Sequence, residues 1–136
     1  MLNFIIANLN RRHKIRLELN GLKMLVIDDD ICFLSLLSEV IRSRGWECDT
    51  ASSVKIAQDC LQKSNYQTVC IDFSLRDGTA IDVLWFIRSH RIACRALALS
   101  GHDDSHTRDL ALKAGAESYI IKGETVFLEK ICGSKQ

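Results

Sequence analysis

Four apolar runs in this chain each end in a side chain able to take part in chemistry. Met24-Leu25-Val26-Ile27 ends in Asp28-Asp29-Asp30, and Val69-Cys70-Ile71 ends in Asp72. Ala96-Leu97-Ala98-Leu99 ends in Ser100, and Tyr119-Ile120-Ile121 ends in Lys122. Carboxylates gathered in one crevice repel each other unless a hard divalent cation sits among them. An oxygen-only donor set with open positions suits Mg²⁺, which keeps waters and takes phosphate oxygens. No Cys or His cluster of zinc spacing competes with this. A carboxylate nucleophile, Mg²⁺, the Lys122 amine and the Ser100 hydroxyl are together the parts needed to accept a phosphoryl group as an aspartyl phosphate.

The elements that would position these groups follow from periodicity. Runs rich in β-branched residues that stop at turn formers read as buried strands. Phe33, Leu34, Leu37, Val40 and Ile41 lie on one helical face, with Gly45 as the stop. Trp46 to Ala51 alternates like a strand. Ser52 or Ser53 can cap a helix striped by Ile56, Ala57, Cys60 and Leu61. A helix is predicted from Thr79 to about His90, and another from a cap at Asp103, Asp104 or Ser105 to near Gly115. A short one follows from about Glu124 to Ile131. Five strands, each followed by a helix, give a doubly wound parallel sheet with helices on both faces. In a sheet of order 2-1-3-4-5 the first and third strands are neighbours, which brings Asp28, Asp29 and Asp72 together outside their carboxyl ends.

Bulk properties narrow the class. The 136 residues fit one domain with a real core. A net charge of +1, with 26% charged residues, gives no field that argues for direct nucleic-acid binding. Six cysteines without a C-x-x-C pair, several inside apolar runs, fit a reduced, cytoplasmic compartment. Leu2-Asn3-Phe4-Ile5-Ile6 is too short for a membrane span and lacks a basic region before it, so neither anchor nor signal peptide is expected. Ile15, Leu17 and Leu19 followed by Asn20-Gly21 suggest a hairpin into the Met24 strand. A central strand has no free edge to receive it, so residues 1–22 are expected to be an appendage, disordered or partner-binding. The sheet domain is expected over 23–132, with a tail at 133–136.

In this order and at this spacing, residues 23–132 resemble the receiver domain of two-component response regulators, a flavodoxin-like α/β fold. The resemblance rests on Asp28-Asp29, on Asp72 in D-x-x-L-x-D-G, on Ser100, on Ala114-Gly115-Ala116, on Tyr119 and on Lys122. It implies a phosphorylation-activated switch rather than an enzyme, with Asp72 as phosphoacceptor and a histidine kinase or histidine phosphotransfer protein as donor. By the same resemblance Asp29, Asp72 and the backbone carbonyl of Ser74 hold Mg²⁺, and Asp28 positions metal-bound water. Lys122 grips a phosphoryl oxygen and Ser100 moves inward to donate a hydrogen bond. Tyr119 then turns inward and changes a face that a downstream protein reads. The implied module is a stand-alone, cytoplasmic receiver without membrane contact, and a homodimer is compatible with it. The small residues Ser74 and Gly101 leave room for water, so self-dephosphorylation is expected not to be unusually slow.

Departures from the family pattern keep alternatives open. Arg76 and Gly123 stand where proline is usual, Ala80 replaces a common glycine, and the last helix is short. The loop after Lys122 is expected to be trans or more mobile, since a cis bond without proline costs about 2.5–4 kcal/mol. One alternative is a degenerate receiver that binds a partner without phosphorylation. Another is a haloacid-dehalogenase-like phosphatase using Asp28, with Asp30 completing a D-x-D. Asp30 otherwise reads as a helix cap, and His102 and His106 as exposed loop residues. Trp85 and Phe86 are expected to pack on neighbouring helices.

Overall fold

The computed structural model describes residues 22–133. The expected appendage, hairpin and C-terminal tail therefore fall, apart from Leu22 and Gly133, outside the described residues. Strand β1 (Lys23–Ile27) is followed by α1 (Ile31–Ser43), β2 (Glu47–Ala51), α2 (Val54–Lys63) and β3 (Thr68–Asp72). A two-residue hairpin, β4 (Ser74–Leu75) and β5 (Gly78–Thr79), leads into α3 (Ala80–Ser89). Then come β6 (Arg95–Ser100), α4 (Ser105–Ala114), β7 (Ser118–Ile121) and α5 (Phe127–Cys132).

The main sheet is parallel, in the order β2-β1-β3-β6-β7. Counting only its five strands, this is the expected 2-1-3-4-5. The β4–β5 ladder is an addition, because a turn signal does not reveal a two-residue pairing.

Near-continuous apolar runs build the strands because both faces of the sheet are covered. Leu25 and Ile27 of β1, Val69 and Ile71 of β3, and Ala96 and Ala98 of β6 point to one face, against α2, α3 and α4. Met24, Val26, Cys70, Leu97, Leu99 and Ile120 point to the other, against Leu34, Leu37 and Ile41 of α1 and Phe127 and Ile131 of α5. Alternation along each strand thus divides one run between two cores. All six cysteines are free thiols. Burial raises the Cys48 thiol to about 11, so it is a small hydrophobe here and not a nucleophile.

The helix faces are narrower than the apolar pattern implied. Val40 is 38% exposed and Ile56 is 41% exposed, so neither belongs to the buried stripe. On α2 the buried positions are Val54, Ala57 and Leu61, spaced by three and four residues. Trp85, expected to pack on neighbouring helices, is instead 59% exposed. Val83, Leu84 and Ile87 fill the buried face of α3 and turn position 85 outward. Phe86 does pack against the core and stacks on His90 at 3.9 Å between ring centroids.

Caps set the helix starts next to the carboxyl edge of the sheet. Asp30 accepts from Phe33 N–H at 3.1 Å, and Asp104 accepts from His106 N–H at 3.1 Å. Thr79 and Asp82 form a reciprocal capping box at the start of α3. Gly78 lies against it: a Cβ at this position would stand 2.4 Å from Asp82 Oδ2 and 3.2 Å from Val54 Cγ2. Gly78→Ala is therefore expected to cost about 1 kcal/mol by displacing the Asp82 carboxylate from Thr79 N–H. Urea unfolding would check this; an unchanged midpoint would contradict it.

Candidate functional site

Register brings the acidic residues together. Ile27 of β1 pairs with Ile71 of β3, so the residues just beyond them, Asp28 and Asp72, emerge side by side. Asp28 is held down to the sheet by its own N–H, which donates to Ala51 C=O at 3.0 Å. One carboxylate oxygen from each of Asp28, Asp29 and Asp72 lies within 4.8 Å of the others. Asp28 is 1% exposed, Asp72 is half-buried and Asp29 is open to solvent. Three hard oxygen donors with one solvent-facing side fit a divalent cation that keeps waters, as the chemistry of the runs suggested.

Lys122 enters from β7. Its N–H donates to Ser100 C=O at 2.8 Å, which ties the end of β7 to the end of β6. The ammonium lies 2.5 Å from Asp28 Oδ2 and 2.8 Å from Asp72 Oδ1. It thus joins the two carboxylates rather than serving Asp72 alone, while Asp28 Oδ1 accepts from Asp30 N–H at 2.9 Å. The described peptide bonds are all trans, including the one after Lys122.

The electrostatics follow from this sharing. Burial pushes the Asp72 carboxyl above its usual range; Lys122 opposes the rise, and the negative charges of Asp28 and Asp29 add to it. Burial alone would lower the Lys122 ammonium, but the hydrogen bonds it donates to Asp28 and Asp72 outweigh that and raise the group. One cation facing two carboxylates gains twice, and each carboxylate gains only part of one cation.

Ser100, Ser74 and Asp72 line a cavity of about 320 Å³ with Phe73, Gly101 and His102. Ser100 Oγ accepts from His102 N–H at 3.2 Å, within the loop after β6. Tyr119, on β7, is 6% exposed, and its hydroxyl donates to His102 C=O at 2.9 Å. The Arg108 guanidinium sits 5.0 Å from the centre of its ring. The ring is thus already turned inward. The backbone of His102 joins Ser100 to Tyr119, while its side chain is exposed, as expected for a loop histidine. Sequence reasoning missed this link because a backbone carbonyl carries no residue signature.

Two side chains were also missed. The Phe33 ring lies under Lys122, with Nζ 4.4 Å from its centroid. Asp77, in the turn of the β4–β5 hairpin, accepts from Val54 N–H at 2.8 Å and Lys55 N–H at 3.1 Å. It couples the loop after Asp72 to the start of α2. The D-G pair at 77–78 signalled a turn, but nothing local named the helix it would cap. The phosphatase alternative needs an accessible Asp28; both of its oxygens are engaged and the residue is buried.

Comparison with known proteins agrees with this geometry. The family model for the response regulator receiver domain matches residues 24–129. The photosynthetic apparatus regulatory protein RegA of Cereibacter sphaeroides is 33% identical over 99 residues, covering 73% of this chain and 54% of RegA. The transcriptional regulatory protein BasR of Escherichia coli is 27% identical over 101 residues, covering 74% of this chain and 46% of BasR. The chain thus spans about half the length of these curated relatives. Among solved structures, the response regulator TrrA of Thermotoga maritima, in complex with Mg²⁺ and BeF, aligns with a TM-score of 0.71 at 28% identity. That alignment covers 81% of this chain and 94% of TrrA. A Burkholderia pseudomallei response regulator with a phosphorylated aspartic acid and a calcium ion aligns with a TM-score of 0.73 at 25% identity. It covers 85% of this chain and 67% of that one. The carboxylate cluster at the sheet edge, the lysine bridging it and the match over residues 24–129 together place this chain in the response regulator receiver domain family.

Proposed function

We propose that the chain is a phosphorylation-activated switch of a two-component or phosphorelay system, with Asp72 as phosphoacceptor and a histidine kinase or histidine phosphotransfer protein as donor. The observation that carries this reading is the convergence of Asp28, Asp29, Asp72 and Lys122 at the carboxyl edge of β1, β3 and β7. Asp28, Asp29, Asp72 and the backbone carbonyl of Ser74 would hold Mg²⁺. Bound there, Mg²⁺ supplies positive charge against the phosphoryl oxygens. Asp72 is the nucleophile and needs no general base to attack phosphorus. Lys122 neutralises charge that develops on the transferred group, and Ser100 donates to one of its oxygens from the loop it shares with His102.

Output is by protein contact at the Tyr119 face. The His102 carbonyl ties the Tyr119 hydroxyl to the loop that carries Ser100, so a charge event at Asp72 and the packing of β7 act on one segment. Residues 23–132 form the receiver domain in this reading, the compartment is cytoplasmic, and no direct nucleic-acid contact is involved. Among the described residues no helix is long and apolar enough to cross a membrane.

Intact-protein mass after phosphoramidate or acetyl phosphate tests the reading. We expect a gain of one phosphoryl group with Mg²⁺, none in EDTA, and none in Asp72→Ala. Mapping the label to Asp28, or seeing no gain, would refute it. Open space beside Asp72 gives water access, so the label is expected to decay without a partner; persistence over many hours with Mg²⁺ would contradict that.

A further inference from the structure

We propose that Phe33 is a positioning residue for phosphoryl transfer, its ring face keeping the Lys122 ammonium beside Asp72. The proposal rests on the reading of Asp72 as acceptor. Three contacts locate the ammonium: Asp28 Oδ2 at 2.5 Å, Asp72 Oδ1 at 2.8 Å and the Phe33 ring centroid at 4.4 Å. The first two use carboxylates that a metal would also draw upon. The third uses neither, so it is the contact among these that carbon chemistry preserves however the carboxylates are engaged.

The Lys122 backbone is anchored by its N–H on Ser100 C=O at 2.8 Å, so what is left to position is the long side chain. The ring is well fixed. Phe33 sits in the first turn of α1, its N–H bonded to the Asp30 cap, and its side chain packs against the core that contains Met24 and Val26. A half-buried ammonium over an aromatic face is attracted by the ring quadrupole, an interaction that strengthens with desolvation. An aliphatic side chain of similar size fills the same space without that attraction. This separates positioning from packing.

The test compares Phe33→Leu, which keeps apolar bulk, with Phe33→Tyr, which keeps the ring face, in the full chain. The first readout is the NMR position of the Lys122 Cε protons without metal, assigned with Lys122→Met. Ring current should shift them upfield of the other lysines in the wild type and in Phe33→Tyr, and the shift should vanish in Phe33→Leu. The second is the rate of phosphorylation by phosphoramidate at saturating Mg²⁺, expected to fall about tenfold in Phe33→Leu and to stay within about twofold in Phe33→Tyr. Lys122 signals unchanged in Phe33→Leu, or a Phe33→Leu rate equal to wild type, would overturn the assignment of Phe33 alone. A wild-type chain that takes up no phosphoryl group would overturn the acceptor reading and this proposal with it.

Discussion

Lys122→Met is expected to lower the metal-free stability of the protein by about 2–3 kcal/mol and to cut phosphorylation of Asp72 by about two orders of magnitude or more. Asp28 is almost fully buried and bonded on one oxygen to Asp30 N–H, so removal of the ammonium leaves its other oxygen facing Asp72 and Asp29 with no cation. Breaking a buried ion pair from one side costs more than the pair is worth as a whole, because an uncompensated charge stays behind. For a domain of this size the loss corresponds to a fall in Tm of roughly 10 °C.

Mg²⁺ should reverse the stability part of the effect. A cation bound only by the folded state stabilises it by about 2.7 kcal/mol at a hundred times its dissociation constant. In Lys122→Met no ammonium competes for Asp28 and Asp72, so Mg²⁺ is expected to bind more tightly and the gap in Tm to narrow. The phosphorylation defect should persist with Mg²⁺, since the metal does not replace the charge that the ammonium would set against the transferred group. Thermal unfolding in EDTA and in saturating Mg²⁺ checks both signs. Equal stability of the two proteins in EDTA would contradict the bridging role of Lys122, as would a gap that widens with Mg²⁺.

Asp77→Asn should cost about 1 kcal/mol at neutral pH, at a turn next to the loop that carries Ser74. The start of α2 has four N–H groups without helical partners. Asp77 takes those of Val54 and Lys55, Ser53 Oγ takes that of Ile56 at 3.1 Å, and a carboxylate also suits the positive end of the helix. The hydrogen bond from Val54 N–H comes first in holding the Asp77 carboxyl below its usual range; burial, next in size, opposes it, and the bond from Lys55 N–H adds to the lowering.

A carboxyl lowered by folding contributes stability that is complete above its unfolded value of about 3.9, and that contribution is lost as pH falls through the lower folded value. The difference between wild type and Asp77→Asn should therefore be constant from neutral pH to about pH 5 and shrink below about pH 4. Other acidic caps, such as Asp104, titrate in both proteins and cancel in the comparison. Urea midpoints at pH 7, 5 and 3.5 would show this. A gap that grows on acidification would mean that Asp77 acts in some way other than as a charged cap.

The sequence by itself determined the architecture and the list of reactive groups. Strand and helix periods are local, so the runs ending at Asp28, Asp72, Ser100 and Lys122 could be read one at a time. The connection rules for α/β sheets then placed their ends on one edge. Asp30 was legible as a cap for the same reason. Val40, Ile56 and Trp85 were not legible: each lies beside a buried stripe, and the angle at which a helix rests on the sheet decides which flank stays wet.

Tertiary structure alone decided how the groups meet. Lys122 and Asp28 are 94 residues apart, and no local pattern states that the ammonium joins Asp28 as well as Asp72. The same holds for Phe33 beneath Lys122, for Asp77 at the start of α2, and for the His102 backbone between Ser100 and Tyr119. Composition and period report which side chains must be hidden and which can react. The distances among them are set by register across the sheet and by the packing of α1 and the β4–β5 hairpin, which exist only once the whole chain has folded.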